Sequence, residues 1–185
     1  FYYLVCLYTD KNQFKKELNL NASDKTAGRC EWSYGSKIAP IHTTDDVNVM
    51  THEMVHALQW AAYRSFPLCL TEGMANWFAH SYAHSTKNLG EFYRSQNIQK
   101  LALQIKARGF PDMESYLACE SYDDWENLLG TKWRGYCIGA MLCDYLFTNH
   151  QVWTGRALQH CQQVGEGQQK RSQAFAEFVE NNWEG

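Results

Sequence analysis

One short segment of the sequence carries two histidines and a glutamate in a spacing that suits a metal site: His52, Glu53 and His56. On a helix, residues four positions apart lie one turn apart on the same face, so both imidazoles can reach one ion. Glu53 lies about 100° around the helix from His52, beside the ion instead of bound to it. A carboxylate in that position can accept a proton from metal-bound water. The segment therefore predicts a hydrolytic zinc site with Glu53 as its general base.

A third ligand is needed, because a catalytic zinc ion takes three protein ligands and leaves one position open. Glu72 follows His56 by 16 residues and stands in an apolar segment that continues to Phe78. Pro67 interrupts the helical pattern before it, so a second helix can fold back against the first. Glu72 would then lie in the first turn of that helix and face both histidines, although carboxylates also favour first turns without any metal. We predict that His52, His56 and Glu72 bind one Zn²⁺ ion.

The residues before the first histidine predict a small sheet. Tyr2–Tyr8 is apolar and aromatic throughout, which is typical of a buried strand. A second strand is expected over Lys37–Thr43, where Pro40 favours an edge position because proline cannot donate a hydrogen bond to a neighbouring strand. A short strand is also expected near Cys30–Tyr34, and Asp10 can cap a short helix that follows the first strand.

Helices are predicted for most of the remaining chain. From an N-cap at Thr43–Asp45, apolar residues recur at three- and four-residue steps to about Arg64, which predicts a long amphipathic helix. A second helix is expected from about Leu70 to His84, and a loop with one or two short helices over 109–131. Further helices are predicted over 91–107, 132–149, 151–163 and 170–182. Strands followed by helices indicate one α+β domain over 1–185, with an α/β part to about 66 and a helical part from about 67.

Charge, hydropathy and cysteine spacing exclude several other classes of protein. The formal net charge of −3 gives no basic surface of the kind that nucleic acids require, so we expect no nucleic-acid partner. No apolar run approaches the roughly 20 residues that cross a bilayer, so no membrane span is expected. Seven cysteines without a C-x-x-C pair argue against a cysteine zinc site, and leave buried thiols and partial disulfide bonding equally open. His80 and His84 repeat the four-residue spacing without a neighbouring acid, and we expect them to be solvent-facing or hydrogen-bonded.

The two motifs together resemble the gluzincins. The H-E-x-x-H of His52–His56, followed by the E-G-x-A-x-W-F of Glu72–Phe78, is similar to aminopeptidase-N-like enzymes, bacterial collagenases and small peptidase MA-like domains. Tyr136–Leu142 resembles the Y-x-x-G-x-x-apolar helix of the aminopeptidase group. The likeness covers roughly residues 1–150. It implies a zincin-like fold, with a small N-terminal sheet, a zinc-binding helix and a mostly helical C-terminal half.

The resemblance also implies a zinc-dependent peptidase that acts on a peptide or protein substrate. Tyr136 would donate its hydroxyl to the oxyanion of the reaction, although it could also be a plain core aromatic residue. Asn76 stands where some gluzincins carry a carboxylate that holds a ligand histidine, so its amide is a candidate for the same contact. Lys37–Thr43 is the expected site of strand addition by an extended peptide. No G-x-M-E-N exopeptidase signature precedes the zinc helix, which favours an endopeptidase, and gluzincins of this shape are often exported.

Two other interpretations of the same residues stay open. The chain could bind zinc without turnover, as a protein-interaction domain, or it could hydrolyse a non-peptide amide or ester. Glu53 favours catalysis over the first of these, because a non-catalytic zinc site needs no acid beside the ion.

Overall fold

The computed structural model describes residues 2–21, 26–31, 38–44, 46–63, 66–84, 103, 105–107, 109–164 and 168–183. These residues form a small sheet near the N-terminus and are otherwise mostly helical, as the predicted order of elements indicated. The strands are β1 (Tyr2–Tyr8), β2 (Gly28–Cys30) and β3 (Ile38–Thr44). The helices are α1 (Lys11–Glu17), α2 (Val47–Tyr63), α3 (Leu68–His84), α4 (Met113–Leu117), α5 (Tyr122–Leu129), α6 (Lys132–Asn149), α7 (Gln151–Gln163) and α8 (Gln168–Asn182).

Two predicted elements lie only partly within the described residues. The strand predicted near Cys30–Tyr34 is present as β2, which ends at Cys30, and positions 32–37 lie outside the described ranges. Of the helix predicted over 91–107, Leu103 and residues 105–107 are described and helical. The two short helices α4 and α5 occupy the region 109–131, where one or two short helices were predicted.

Strand β3 is the central strand of the sheet, which has the order β1-β3-β2, so the prediction of an edge strand over Lys37–Thr43 is wrong. β3 runs parallel to β1 and antiparallel to β2. Pro40 is tolerated because it lies beyond the last β2 pair, Cys30 with Ile41, and its carbonyl oxygen accepts a hydrogen bond from the backbone N–H of Glu31 at 2.9 Å. The backbone position where proline lacks an N–H therefore points toward the end of β2. No hydrogen bond between β3 and β1 is lost.

Strand β1 has the predicted bounds, but the prediction that it is buried is wrong. Leu4, Val5 and Leu7 are 54%, 45% and 57% exposed. Helix α2 packs on β3 and β2, where Ile41 and Ala57 belong to a small hydrophobic core. β1 is the outer strand at the opposite edge of the sheet, so its apolar side chains lie outside the layer that α2 covers.

Helix α2 begins at Val47, later than the N-cap predicted at Thr43–Asp45. Thr44 instead ends β3, and Asp46 caps the helix, because its Oδ1 accepts a hydrogen bond from the backbone N–H of Asn48 at 2.8 Å. The helix continues to the predicted end within one residue, so the segment with both histidines is helical, as predicted.

Helix α3 lies at the centre of the helical part and crosses α6 at close range. It begins at Leu68, directly after Pro67, which supplies the break between α2 and α3. A Cβ atom at Gly73 would lie 2.5 Å from the carbonyl oxygen of Gly139, and one at Gly139 would lie 2.6 Å from the carbonyl oxygen of Cys69. Glycine at both positions therefore allows the two helix backbones to approach this closely.

The larger hydrophobic core lies between α3 and the helices that follow it. Its fully buried side chains include Leu70, Tyr116, Trp125 and Phe175. All seven cysteines have free thiols and four of them are buried, which agrees with the first of the two alternatives for the cysteines. Within the described ranges, no helix is long and apolar enough to cross a bilayer.

Candidate metal centre

Two imidazole rings from α2 and one carboxylate from α3 converge on one point. The Nε2 atoms of His52 and His56 lie 3.0 Å apart, because the two residues are one turn apart on the same helix face. Oε2 of Glu72 lies 3.2 Å from Nε2 of His52 and 3.4 Å from Nε2 of His56. Glu72 lies near the start of α3, where the chain has turned back after Pro67. The fold thus brings together the three side chains that the sequence predicted as ligands.

The geometry and chemistry of this group fit a metal ion. A tetrahedral zinc ion with ligand distances of about 2.0–2.1 Å separates its ligand atoms by roughly 3.3 Å. The sides of the triangle formed by the two Nε2 atoms and Oε2 measure 3.0, 3.2 and 3.4 Å, so one ion can bond to all three atoms. Two imidazoles and one carboxylate are also a donor set that hydrolytic zinc sites use. His52, His56 and Glu72 therefore form a group that could hold a metal ion.

Burial and mutual contact determine the charge of this group. Burial raises the pKa of Glu72, but the charge of His56 and hydrogen bonds from both histidines lower that pKa well below its usual range. Burial lowers the pKa of His56, but the Glu72 carboxylate raises it to about 9. Glu72 is therefore an ionised carboxylate in a buried place, and its negative charge needs a positive partner. A bound cation can supply that charge in place of a proton on the histidine.

Gln59 orients His56 from the far side of its ring. Its Oε1 lies 3.0 Å from Nδ1 of His56, and its Nε2 donates to the carbonyl oxygen of Thr71 at 3.0 Å. Because a carbonyl oxygen can only accept, the Thr71 contact fixes the amide and leaves Oε1 to accept the proton of Nδ1. His56 is thereby held in the tautomer whose Nε2 is free to bind a metal. Gln59 was not among the predicted site residues, although its three-residue spacing from His56 puts both on one helix face.

Tyr122 contacts the other oxygen of the Glu72 carboxylate. Its hydroxyl donates to Oε1 of Glu72 at 2.5 Å. Burial, together with the charge of Glu72, raises the pKa of the Tyr122 phenol, so the hydroxyl keeps its proton. Tyr122 was not predicted, and no spacing rule would have found it, because it follows Glu72 by 50 positions on a different helix.

Glu53 lies beside the three-residue group, with its side chain against β2. It is 8% exposed, and it accepts a hydrogen bond from the backbone N–H of Cys30. Burial raises its pKa, the two histidines lower it and Glu72 raises it, and the net pKa lies above its usual value. A Cβ atom at Gly28 would lie 2.7 Å from Cγ of Glu53 and 2.8 Å from its Oε1, so glycine lets the strand approach the carboxylate. Glu53 is therefore a buried carboxylate with raised proton affinity, held next to the ligand group.

Tyr136 lines the same cleft as the ligand group. Its ring centroid lies 6.4 Å from that of His52, and its ring stacks on that of Tyr122 with the centroids 5.8 Å apart. Burial and the charge of Glu72 raise the pKa of Tyr136, which leaves its hydroxyl a hydrogen-bond donor at neutral pH. The position is one from which a phenol can reach a molecule bound in the cleft.

Asn76 does not hold a histidine of the group, which is the contact that the family resemblance implied for it. It lines a cavity that also contains His52 and Glu53, but within the described residues its amide makes no hydrogen bond to either histidine of the group. The predictions for His80 and His84 concern side chains that lie outside the described part of the chain.

Two adjoining cavities form an open cleft at the group. A cavity of about 630 Å³ includes all three ligand residues and Glu53, and an adjoining cavity of about 420 Å³ includes His52 and Glu53 again. Gly28 and Tyr136 line both cavities. The larger cavity continues along an apolar wall of Trp60, Phe66 and Leu68. The smaller one continues toward Asn48, Val49, Asn76, Ala79 and Trp133.

In comparisons with known proteins, the chain matches no protein-family model, no curated protein and no solved structure. What this centre can do therefore follows from the chemistry of its own residues. Two imidazoles and a carboxylate could hold a cation, a second buried carboxylate lies beside them, and two phenols face the same cleft.

Proposed function

We propose that this chain is a zinc-dependent peptidase of the gluzincin type with a zincin-like catalytic domain, in which His52, His56 and Glu72 bind one Zn²⁺ ion. The proposal depends above all on one observation. Three ligand atoms converge with separations of 3.0 to 3.4 Å, beside the buried carboxylate of Glu53 and in a cleft open to a substrate.

The number of ligands supports a catalytic ion over a structural one. Structural zinc sites are closed by four protein ligands, whereas catalytic sites keep one position for water or substrate. The group found among the described residues has three members, and the larger cavity adjoins all of them. An ion held by these three residues of the described chain would therefore keep a fourth position for water from the cleft.

Glu53 has the properties that a general base requires. When bound, a zinc ion supplies Lewis acidity, which lowers the pKa of a water molecule and polarises a carbonyl group. Glu53 accepts a proton from the attacking water and later delivers it to the nitrogen of the leaving amine. Burial raises the pKa of Glu53 above its usual value, which strengthens it as a proton acceptor, and the hydrogen bond from the Cys30 N–H limits rotation of the carboxylate.

Tyr136 supplies a hydrogen-bond donor on the cleft side of the centre. As the peptide carbonyl is attacked, negative charge develops on its oxygen, and a donor placed there stabilises the transition state more than the ground state. The raised pKa of Tyr136 keeps the proton on the phenol for this role.

Strand β2 offers an edge to which an extended peptide can add. This replaces strand addition at Lys37–Thr43, because β3 is paired on both sides. Arg29 and Glu31 direct their backbone groups toward β3, so the backbone groups of Gly28 and Cys30 point away from it. Gly28 and Cys30 line the cleft, and the Cys30 N–H already donates to Glu53, so a peptide that passes the ligand group would pair with the remaining backbone groups of these two residues. Two adjoining cavities share Glu53 in their lining, and this extended space favours cleavage within a chain over removal of a terminal residue.

The substitution Glu53→Gln tests the proposal, because it removes the base and keeps the size of the side chain. We expect zinc content, measured by mass spectrometry of the purified protein, to stay at the wild-type level. Cleavage of a diverse peptide library should fall by about 10²–10⁴-fold, which is the usual contribution of a general acid–base group. Glu126→Gln, an exposed glutamate on α5, is the matched control and should cleave like the wild type. Chelation should abolish cleavage by the wild type, and added Zn²⁺ should restore it.

Each alternative has its own outcome in this experiment. Unchanged cleavage by Glu53→Gln would overturn the mechanism. A wild-type chain that binds zinc but hydrolyses neither peptides nor simple esters and amides would be a non-catalytic zinc-binding domain. Hydrolysis confined to non-peptide esters or amides would keep the centre and change the substrate class.

A further inference from the structure

The two oxygens of the Glu72 carboxylate have different partners. Oε2 faces the Nε2 atoms of both histidines at 3.2 and 3.4 Å, whereas Oε1 accepts the hydroxyl of Tyr122 at 2.5 Å. Glu72 is 4% exposed, so little water competes for either oxygen. The carboxylate therefore presents one oxygen to the histidines and has the other engaged by a protein donor.

Tyr122 is fixed in place by its surroundings as well as by Glu72. It is the first residue of α5, which starts with a capping box: Oγ of Ser121 accepts from the N–H of Asp124 at 3.2 Å, and Oδ2 of Asp124 accepts from the N–H of Ser121 at 2.8 Å. Its ring stacks on Tyr136 and meets the fully buried Trp125 edge to face, with centroids 5.8 and 5.9 Å away. The hydroxyl is thus aimed by a capped helix end and two aromatic contacts.

We propose that Tyr122 is a positioning residue that makes Glu72 bind its metal ion through Oε2 alone. The inference rests on the proposed function, because it concerns the same metal centre. A carboxylate can bind a cation through one oxygen or through both. Binding through both would require Oε1 to give up the hydrogen bond that the Tyr122 hydroxyl donates to this ionised carboxylate. Binding through one oxygen leaves a position at the ion for water and substrate, which a catalytic zinc site needs.

The substitution Tyr122→Phe removes the hydroxyl and keeps the ring. We expect Zn²⁺ affinity, measured by competition with a chromophoric chelator, to fall by about 10–100-fold, as is usual when the partner of a metal ligand is lost. Co²⁺ serves as a second probe, because four-coordinate Co²⁺ absorbs visible light more strongly than five-coordinate Co²⁺. The wild type should give the strong four-coordinate spectrum. Tyr122→Phe should give the weaker one, because Oε1 becomes free to bind the ion.

Tyr145→Phe is the matched control, since it removes an exposed hydroxyl on α6 that contacts His150, away from the centre. It should change neither affinity nor spectrum. A weak, five-coordinate Co²⁺ spectrum in the wild type would overturn the inference even if Tyr122→Phe failed to fold. Unchanged affinity and spectrum in a folded Tyr122→Phe protein would overturn the role of Tyr122 and leave the metal centre intact. A wild type that binds neither Zn²⁺ nor Co²⁺ would overturn the proposed function itself.

Discussion

The helical part of the molecule and its sheet contribute to the proposed metal centre in different ways. Helices α2 and α3 supply the three proposed ligand side chains, which are largely buried and in contact with one another. Strand β2 contributes through its backbone. The N–H of Cys30 donates a hydrogen bond to the Glu53 carboxylate, and Gly28 has no side chain, which leaves room for that carboxylate. The positions of the three proposed ligands therefore depend on how side chains pack between the helices. The position of Glu53 depends on where the backbone of β2 runs.

The two regions also differ in how tightly they are packed. At Gly73 and Gly139, the backbones of α3 and α6 leave no room for a methyl group. On the sheet, Leu4 and Leu7 of β1 are more than half exposed. Metal coordination requires ligands that hold their geometry, and the closely packed helices meet that requirement.

The largest effect in this comparison is expected on metal affinity, within the helical part. Gln59→Met removes the acceptor for the Nδ1 proton of His56 and keeps an unbranched side chain of similar size. We expect Zn²⁺ affinity to fall by about 10–100-fold, or about 1.4–2.7 kcal/mol, because the imidazole loses its fixed orientation. Asn76→Ala is the matched control and should leave affinity unchanged, since within the described residues the Asn76 amide makes no hydrogen bond to either histidine. Competition with a chelator measures the Zn²⁺ affinity of both variants. Lower affinity in Asn76→Ala and unchanged affinity in Gln59→Met would mean that Asn76, and not Gln59, orients the histidine.

An effect of similar size is expected on stability, at the crossing of α3 and α6. Gly73→Ala should lower the free energy of unfolding by about 1–3 kcal/mol, because the new methyl group meets the backbone of Gly139 at 2.5 Å and neither helix can yield cheaply. Gly155→Ala on α7 has open space around it and should raise the free energy of unfolding by up to about 1 kcal/mol, from helix propensity alone. Urea denaturation measures both. If the two variants shift stability alike, the crossing is looser than described.

The smallest effect on stability is expected in the sheet, where the same isoleucine-to-valine substitution can be made at a buried and at an exposed position. Ile41→Val on the inner face of β3 should cost about 0.5–1.5 kcal/mol, because Ile41 is 1% exposed. Ile38→Val on the same strand should stay within about 0.5 kcal/mol, because Ile38 is 48% exposed. Equal losses for the two variants in urea denaturation would mean that the outer face of the sheet is covered.

The sequence by itself was sufficient wherever the determining contacts are local. The four-residue spacing of His52 and His56 fixes both rings on one helix face, and Pro67 marks the break after which the chain turns back. Glu72 was predicted as the third ligand because the break at Pro67 lets the next helix fold back and places Glu72 in the first turn of that helix, facing both histidines. Gln59 was missed, yet its spacing from His56 is local as well and the same rule would have found it.

The tertiary structure alone decided the features that depend on neighbours distant in sequence. Pro40 suggested an edge strand, and β3 is central because the missing donor falls where β2 ends. The apolar pattern of β1 suggested burial, but burial depends on whether another layer covers the strand. Tyr122 reaches Glu72 only because α5 packs on α6 and brings its first residue over α3. Local periodicity specifies which residues share a face, but it carries no information about which distant segment will meet that face.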